Sequence, residues 1–110
     1  MRLYFEEHAK GLIVHIEGKL DATTAPTLKE ELIPKISELK KDLLFELSNL
    51  RYLSSAGIRI FYLASRQVSQ NGKRMFFSGP NYDIMRIFEM IELHEDFMIF
   101  PDVETAFQEM

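Results

Sequence analysis

The chain has 110 residues, 46% of them hydrophobic and 27% charged, with no cysteine and a formal net charge of −4. That length supports one domain, residues 1–110, able to bury roughly two thirds of its unfolded surface, and the composition is that of a globular rather than a disordered chain. The lack of cysteine excludes disulfides, thiolate metal sites and cysteine nucleophiles. The mild negative charge argues against bulk binding to nucleic acid, which needs clustered lysine and arginine. Glu6 and Glu7 come too early for a signal peptide, and no apolar run reaches the length of a membrane span, so the expected location is the cytoplasm.

Leu3–Glu7 and Leu12–Glu17 read as strands separated by the turn-prone Ala9-Lys10-Gly11. Leu12, Val14 and Ile16 alternate with Ile13, His15 and Glu17, which predicts one apolar and one mixed face, as in a half-covered antiparallel pair. His15 is expected to meet solvent or a neighbouring carboxylate. Gly18-Lys19-Leu20-Asp21 breaks the pattern. Thr23-Thr24-Ala25-Pro26 places a hydroxyl cap before a proline in the first turn, where its missing N–H costs nothing. Leu28, Leu32, Ile36 and Leu39 continue at helical spacing, and Pro34 is expected to kink or loosen that helix. Asp42–Leu47 is a nearly continuous apolar run, the pattern of a central strand.

Next comes a seam, Asn49-Leu50-Arg51-Tyr52-Leu53-Ser54-Ser55-Ala56-Gly57, where strand gives way to helix. Gly57, Phe61, Ala64 and Val68 share the helix face expected to pack on the sheet, while Arg59 and Arg66 share another. A serine at the seam has two readings. Its oxygen can accept from the free N–H groups of the first turn as an N-cap, or it can carry a phosphate that the same N–H groups and the helix dipole favour. Asn71-Gly72 ends the helix with a residue suited to the left-handed conformation. Arg74–Ser78 is a strand, Gly79-Pro80-Asn81 a turn into a helix carrying Ile84, Ile87, Phe88 and Ile91, and Phe97–Phe100 a short strand. Asp102 caps a last helix through Phe107. The fold class expected is α/β, a mixed, mostly parallel sheet of about five strands with about four helices. The two basic runs, Lys40-Lys41 and Lys73-Arg74, fall where helices end and are assigned to the helix dipole.

No enzyme constellation is present. His8, His15 and His94 are scattered, there is no glycine-rich phosphate loop, and no Gly-x-Ser-x-Gly elbow surrounds Ser55. The adjacent pairs Glu6-Glu7 and Glu30-Glu31 diverge in direction and read as solvated charge. Met85, Met90 and Met98 are assigned to core packing in preference to an adaptable partner surface. No metal or cofactor is expected.

Four segments in order carry a family resemblance: Gly18-Lys19-Leu20-Asp21 with Thr24-Ala25-Pro26; Leu47-Ser48-Asn49-Leu50 through Ser55-Ala56-Gly57; Gly72-Lys73-Arg74; and Pro80 through Arg86-Ile87-Phe88-Glu89-Met90 to Leu93. Together they resemble the STAS-domain family, specifically the stand-alone anti-sigma factor antagonists of bacteria. The resemblance implies a STAS fold over nearly the whole chain and a phosphorylated serine at Ser55, with Ser54 the weaker candidate. It also implies two partners: an anti-sigma factor of the histidine-kinase-like ATPase type, which is itself the serine kinase, and a separate serine phosphatase. Asp21, Thr24, Ser54, Ser55, Ala56, Gly57, Arg59 and Tyr62 are expected to form or border the partner surface. The sequence departs from the family pattern at two places: Ser54 stands where the acidic residue before the phosphoserine is usual, and Glu46 replaces the strand's usual Asp. The alternative that Ser54 in place of the acidic residue leaves open is a constitutive STAS scaffold, a subunit of a stress-sensing or lipid-transport complex without phosphoswitching.

Overall fold

The computed structural model describes residues 1–110 as six strands and five helices. In chain order these are β1 (Arg2–Glu7), β2 (Gly11–Leu20), α1 (Ala25–Ser37), β3 (Asp42–Glu46), β4 (Leu50–Leu53), α2 (Ser55–Gln70), β5 (Met75–Ser78), α3 (Tyr82–Met90), α4 (Leu93–Asp96), β6 (Met98–Phe100) and α5 (Val103–Glu109). The main sheet runs β1-β2-β3-β5-β6. Only the β1–β2 pair is antiparallel, as a short turn requires; every later pair is parallel and joined through a helical crossover.

Period-two alternation sorts the strands between two unequal layers. Leu12, Val14 and Ile16 of β2, Leu43 and Phe45 of β3, and Met75 and Phe77 of β5 face α1, α2 and α3 in the large core. Leu28, Leu32 and Ile36 of α1 and Phe61, Ala64 and Val68 of α2 close it, each one helical turn from the next. Phe61 and Phe77 meet edge-on with centroids 5.0 Å apart, and Phe45 lies 5.1 and 5.2 Å from them. The intervening residues Ile13, Leu44 and Phe76 pack on the other face with Ala106 of α5, joined by the partly buried Phe100, Val103, Phe107 and Met110.

Two elements escape the expected order: β4 and α4. β4 is four residues long with only its ends buried, so it shows neither alternation nor an apolar run. α4 is a single turn. The Gly18–Leu20 segment, expected to break the strand, continues β2 instead. A bulge between Gly18 and Lys19 shifts the register, and Gly18 takes φ +88°, a conformation open to glycine. Pro34 does not divide α1, which runs unbroken to Ser37. It sits in the last turn, and the carbonyl it leaves unbonded belongs to the exposed Glu30.

The expected cap at Asp102 is formed, its side chain accepting from the Thr105 N–H at 2.7 Å, and Asn81, read from sequence only as part of a turn, caps α3 by accepting from the Ile84 N–H at 2.9 Å. His15 does meet a carboxylate, its Nε2 lying 2.8 Å from Glu6 Oε1 while its ring stacks on Tyr4. The methionine assignment holds only for Met85, which packs against the core; Met90 and Met98 are exposed, because the last face of α3 and the edge of β6 have no further layer to meet. Arg74, assigned from sequence to a helix dipole, is instead locked to Asp42. Its Nε and Nη2 donate to Oδ2 at 3.1 and 2.9 Å, and its backbone N–H donates to Oδ1 at 2.9 Å.

Candidate functional site

The end of β2 and the start of α2 are built as one unit. Beyond the point where β3 stops, β2 pairs in parallel with β4 through Gly18, Lys19 and Leu20. The Ser54 N–H then donates to the Leu20 carbonyl at 2.9 Å, which fixes where the helix leaves the strand. Gly57, buried in the first turn of α2, allows the close approach that follows. A Cβ there would stand 2.6 Å from Leu20 Cγ and 2.9 Å from Leu53 Cδ1, inside contact distance for carbon. Gly57 therefore seats the helix and is not available to a partner.

After Leu20 the chain turns through Asp21 into α1. Asp21 Oδ1 accepts from the Thr23 and Thr24 N–H groups at 2.9 and 3.1 Å. In return Thr24 Oγ1 accepts from the Asp21 N–H and donates to the Lys19 carbonyl, both at 2.9 Å. Thr24 stands at the N-cap position of α1 without making a side-chain cap; its hydroxyl closes this loop. The hydrogen bond from the Thr24 N–H, helped by that of Thr23 and by Lys19, holds the Asp21 carboxyl below the usual carboxylate range. An ionised Asp21 thus stands beside the first turn of α2.

The two serines of the seam differ in kind. Ser54 occupies the N-cap position, yet its side chain makes no capping bond and its Oγ is buried without a partner. Ser55 is the first residue of the helix and is exposed. The first turn of α2 contains no acidic residue, so its N–H groups and the positive end of a sixteen-residue dipole are uncompensated by any carboxylate of the helix.

Further along α2, Arg59 is exposed and lines a shallow depression with Lys29 of α1, Leu63 and Arg66. Tyr62 lines the same depression and is 39% exposed, but its hydroxyl is engaged. Its hydroxyl donates to Asp96 Oδ2 at 2.8 Å and its ring lies 5.0 Å from that of Phe97, so it ties α2 to α4. The hydrogen bond to Asp96, with burial adding to it, raises the phenol above its ordinary value. Glu46 bonds to Ser48, through its backbone N–H at 3.0 Å and its hydroxyl at 2.9 Å, and closes the turn between β3 and β4. Sequence reasoning overlooked Tyr52, which is 51% exposed on β4 three residues before Ser55. Its signal was an aromatic between Arg51 and Leu53 in a segment too short to read as a strand.

The sequence model of the STAS-domain family matches residues 2–106. This chain belongs to the STAS-domain family. An anti-sigma-B factor antagonist of Staphylococcus epidermidis is 32% identical over 82 residues, which cover 74% of this chain and 76% of that one; the Staphylococcus aureus protein matches equally. Among solved structures, an anti-sigma factor antagonist from Mycobacterium paratuberculosis superposes with a TM-score of 0.84 at 22% identity, covering 98% of this chain and 92% of that one. The unphosphorylated form of the Bacillus anti-sigma factor antagonist SpoIIAA gives 0.83 at 14% identity, over 98% and 95% of the two chains. At those identities the structural likeness speaks for the STAS fold, and the six-stranded mixed sheet with five helices is that fold. The STAS domain here contains no cluster of three or more His, Asp or Glu side chains placed to hold a metal, and no helix long and apolar enough to cross a membrane.

Proposed function

We propose that this STAS protein is an anti-sigma factor antagonist, binding an anti-sigma factor through the surface around Asp21 and Ser55 and released from it by phosphorylation of Ser55. The observation that carries the reading is the contrast between neighbours: the Ser55 hydroxyl is exposed at the first position of α2, whereas Ser54 Oγ is sealed from solvent. A kinase reaches the first without opening the fold and cannot reach the second. The staphylococcal relatives, named as anti-sigma-B factor antagonists, support the class of partner.

The chemistry follows from charge. A phosphate on Ser55 adds about −1.5 to −2 charges at neutral pH. The start of α2 accommodates it, since no acidic side chain occupies that turn. Asp21 follows Leu20, whose carbonyl holds the Ser54 N–H, and is already held in its charged form, so the phosphate concentrates negative charge on the proposed contact surface. A partner complementary to the unmodified surface then meets like charge and a strongly hydrated group, and dissociates with little change inside the STAS fold. The anti-sigma factor is assigned the kinase role, a separate phosphatase restores the hydroxyl, and this chain performs no catalysis.

The test is binding to the cognate anti-sigma factor by calorimetry, together with phosphopeptide mapping of protein isolated from its own cells. Ser55→Ala should keep affinity within a few-fold and abolish modification. Ser55→Asp should weaken binding at least about tenfold, a cost of about 1.4 kcal/mol. Equal binding by Ser55→Asp and the natural protein, with Ser55 unmodified under stress, would leave a constitutive scaffold as the function.

A further inference from the structure

The end of the sheet opposite Ser55 holds the two basic runs that the proposed function does not use. Three connections meet there: the β1–β2 turn, the α1–β3 loop and the α2–β5 loop. Together with Met110 they line a shallow, open cavity of about 530 Å³ whose wall includes Lys10, Lys41, Lys73 and Arg74, with Asp42 as its one carboxylate side chain. Asp42 is consumed by Arg74, which it bonds three times. Lys10, Lys41 and Lys73 take part in none of the ion pairs of the structure. Three lysines outside every ion pair thus line one concavity of a chain whose net charge is −4.

The helix dipole does not account for them. Its effect is confined to the last turn of a helix. In α1 that place is filled by Lys35, while Lys41 lies four residues beyond the end; α2 has no basic residue in its last turn. Nor does the cavity belong to the Ser55 surface. The length of β2 separates them, ten residues or about 30 Å.

We propose that this cavity is a binding site for a phosphate-bearing anion. Lysines on separate loops suit such a ligand because each is a mobile point charge that adjusts to a phosphate oxygen. No aromatic side chain lines the wall, so the site has no platform for stacking a nucleobase and reads charge alone. The same chemistry is offered by a soluble phosphate compound and by the headgroup of an anionic phospholipid.

The experiment titrates isotopically labelled full-length protein with inorganic pyrophosphate at low ionic strength, where exposed charges are least screened, and follows backbone amide resonances. Saturable shifts are expected at Ala9, Lys10, Gly72, Lys73 and Arg74, with Asp21 and Ser55 unmoved. The double variant Lys41→Glu, Lys73→Glu should weaken binding at least about tenfold; should it fail to fold, Lys10→Gln and Lys41→Gln, both at exposed positions, replace it. Lys29→Glu makes the same kind of charge change outside the cavity and should leave binding unchanged. A parallel arm measures sedimentation with phosphatidylcholine vesicles with and without phosphatidylglycerol. Pyrophosphate binding without vesicle retention assigns a soluble ligand. Retention that needs phosphatidylglycerol and is lost in the double variant assigns a lipid headgroup. A dissociation constant above about 10 mM for pyrophosphate with no such retention overturns the site, as does equal weakening by Lys29→Glu. None of these readouts involves the anti-sigma factor, so the outcome is independent of the Ser55 proposal.

Discussion

The two ends of the sheet handle polar groups in opposite ways. At the Ser55 end, Asp21, Thr24, Lys19 and Leu20 exchange hydrogen bonds over backbone and side chains, and Ser55 stands exposed next to that network. At the other end a single ion pair, Arg74 with Asp42, is satisfied and three lysines are left without a partner. The first end is rigid and presents one modifiable group; the second presents mobile charge. A network of directional bonds fixes where a group sits, whereas exposed charges remain free because an isolated surface ion pair gains little over water.

The sharpest way to break this comparison is at Gly57. Helix propensity alone favours alanine over glycine by about 1 kcal/mol, but contact with Leu20 and Leu53 opposes it. Gly57→Ala should destabilise the protein by about 1–3 kcal/mol in urea titration; a more stable variant would show that α2 does not need its close seat. Next in size, Thr24→Val strips the Asp21 N–H and the Lys19 carbonyl of their side-chain partner. A loss of about 1 kcal/mol is expected, along with weaker partner binding as the Asp21 turn loosens. At the other end, Arg74→Ala removes an ion pair whose arginine is half exposed, and should cost no more than about 1 kcal/mol.

Acidification separates the two ends by another route. Asp21 has its carboxyl lowered in the fold from a model-compound value of 3.8. The folded state therefore favours the ionised form. Its contribution to stability is complete above the unfolded value and is lost as pH falls through the lower, folded one. Asp102 behaves in the same direction through its bonds to Thr105, so the diagnostic quantity is a difference. Melting temperatures of Asp21→Asn and the natural protein, measured from neutral pH down to about pH 2, should differ most above pH 4 and converge below it. The smallest effect is predicted for Ser54→Ala. An N-cap serine ordinarily contributes about 1 kcal/mol, but Ser54 makes no capping bond and its Oγ is unsatisfied. The variant should be neutral or slightly stabilised, and a loss of a full kcal/mol would show that the hydroxyl does cap α2 in solution.

What the sequence determined by itself is whatever local chemistry or period encodes: the alternation in β2, the turn-by-turn leucines of α1, the cap at Asp102, and the segments around Asp21, Ser55 and Arg86 that carry the STAS resemblance. Four matters were left to the tertiary structure. β4 exists because β2 outlasts β3 and offers a partner, which no four-residue pattern announces. Ser54 and Ser55 are chemically identical in the chain; only the fold buries the Oγ of one and leaves the other residue exposed. Tyr62 looked free until α4 brought Asp96 to its hydroxyl, 34 residues away. Lys10, Lys41 and Lys73 are far apart in sequence and carry no joint signal, and they share a cavity because parallel crossovers return three loops to the same end of the sheet. Periodicity and capping are short-range and are written in neighbouring residues, whereas burial and convergence of charge depend on contacts between distant segments.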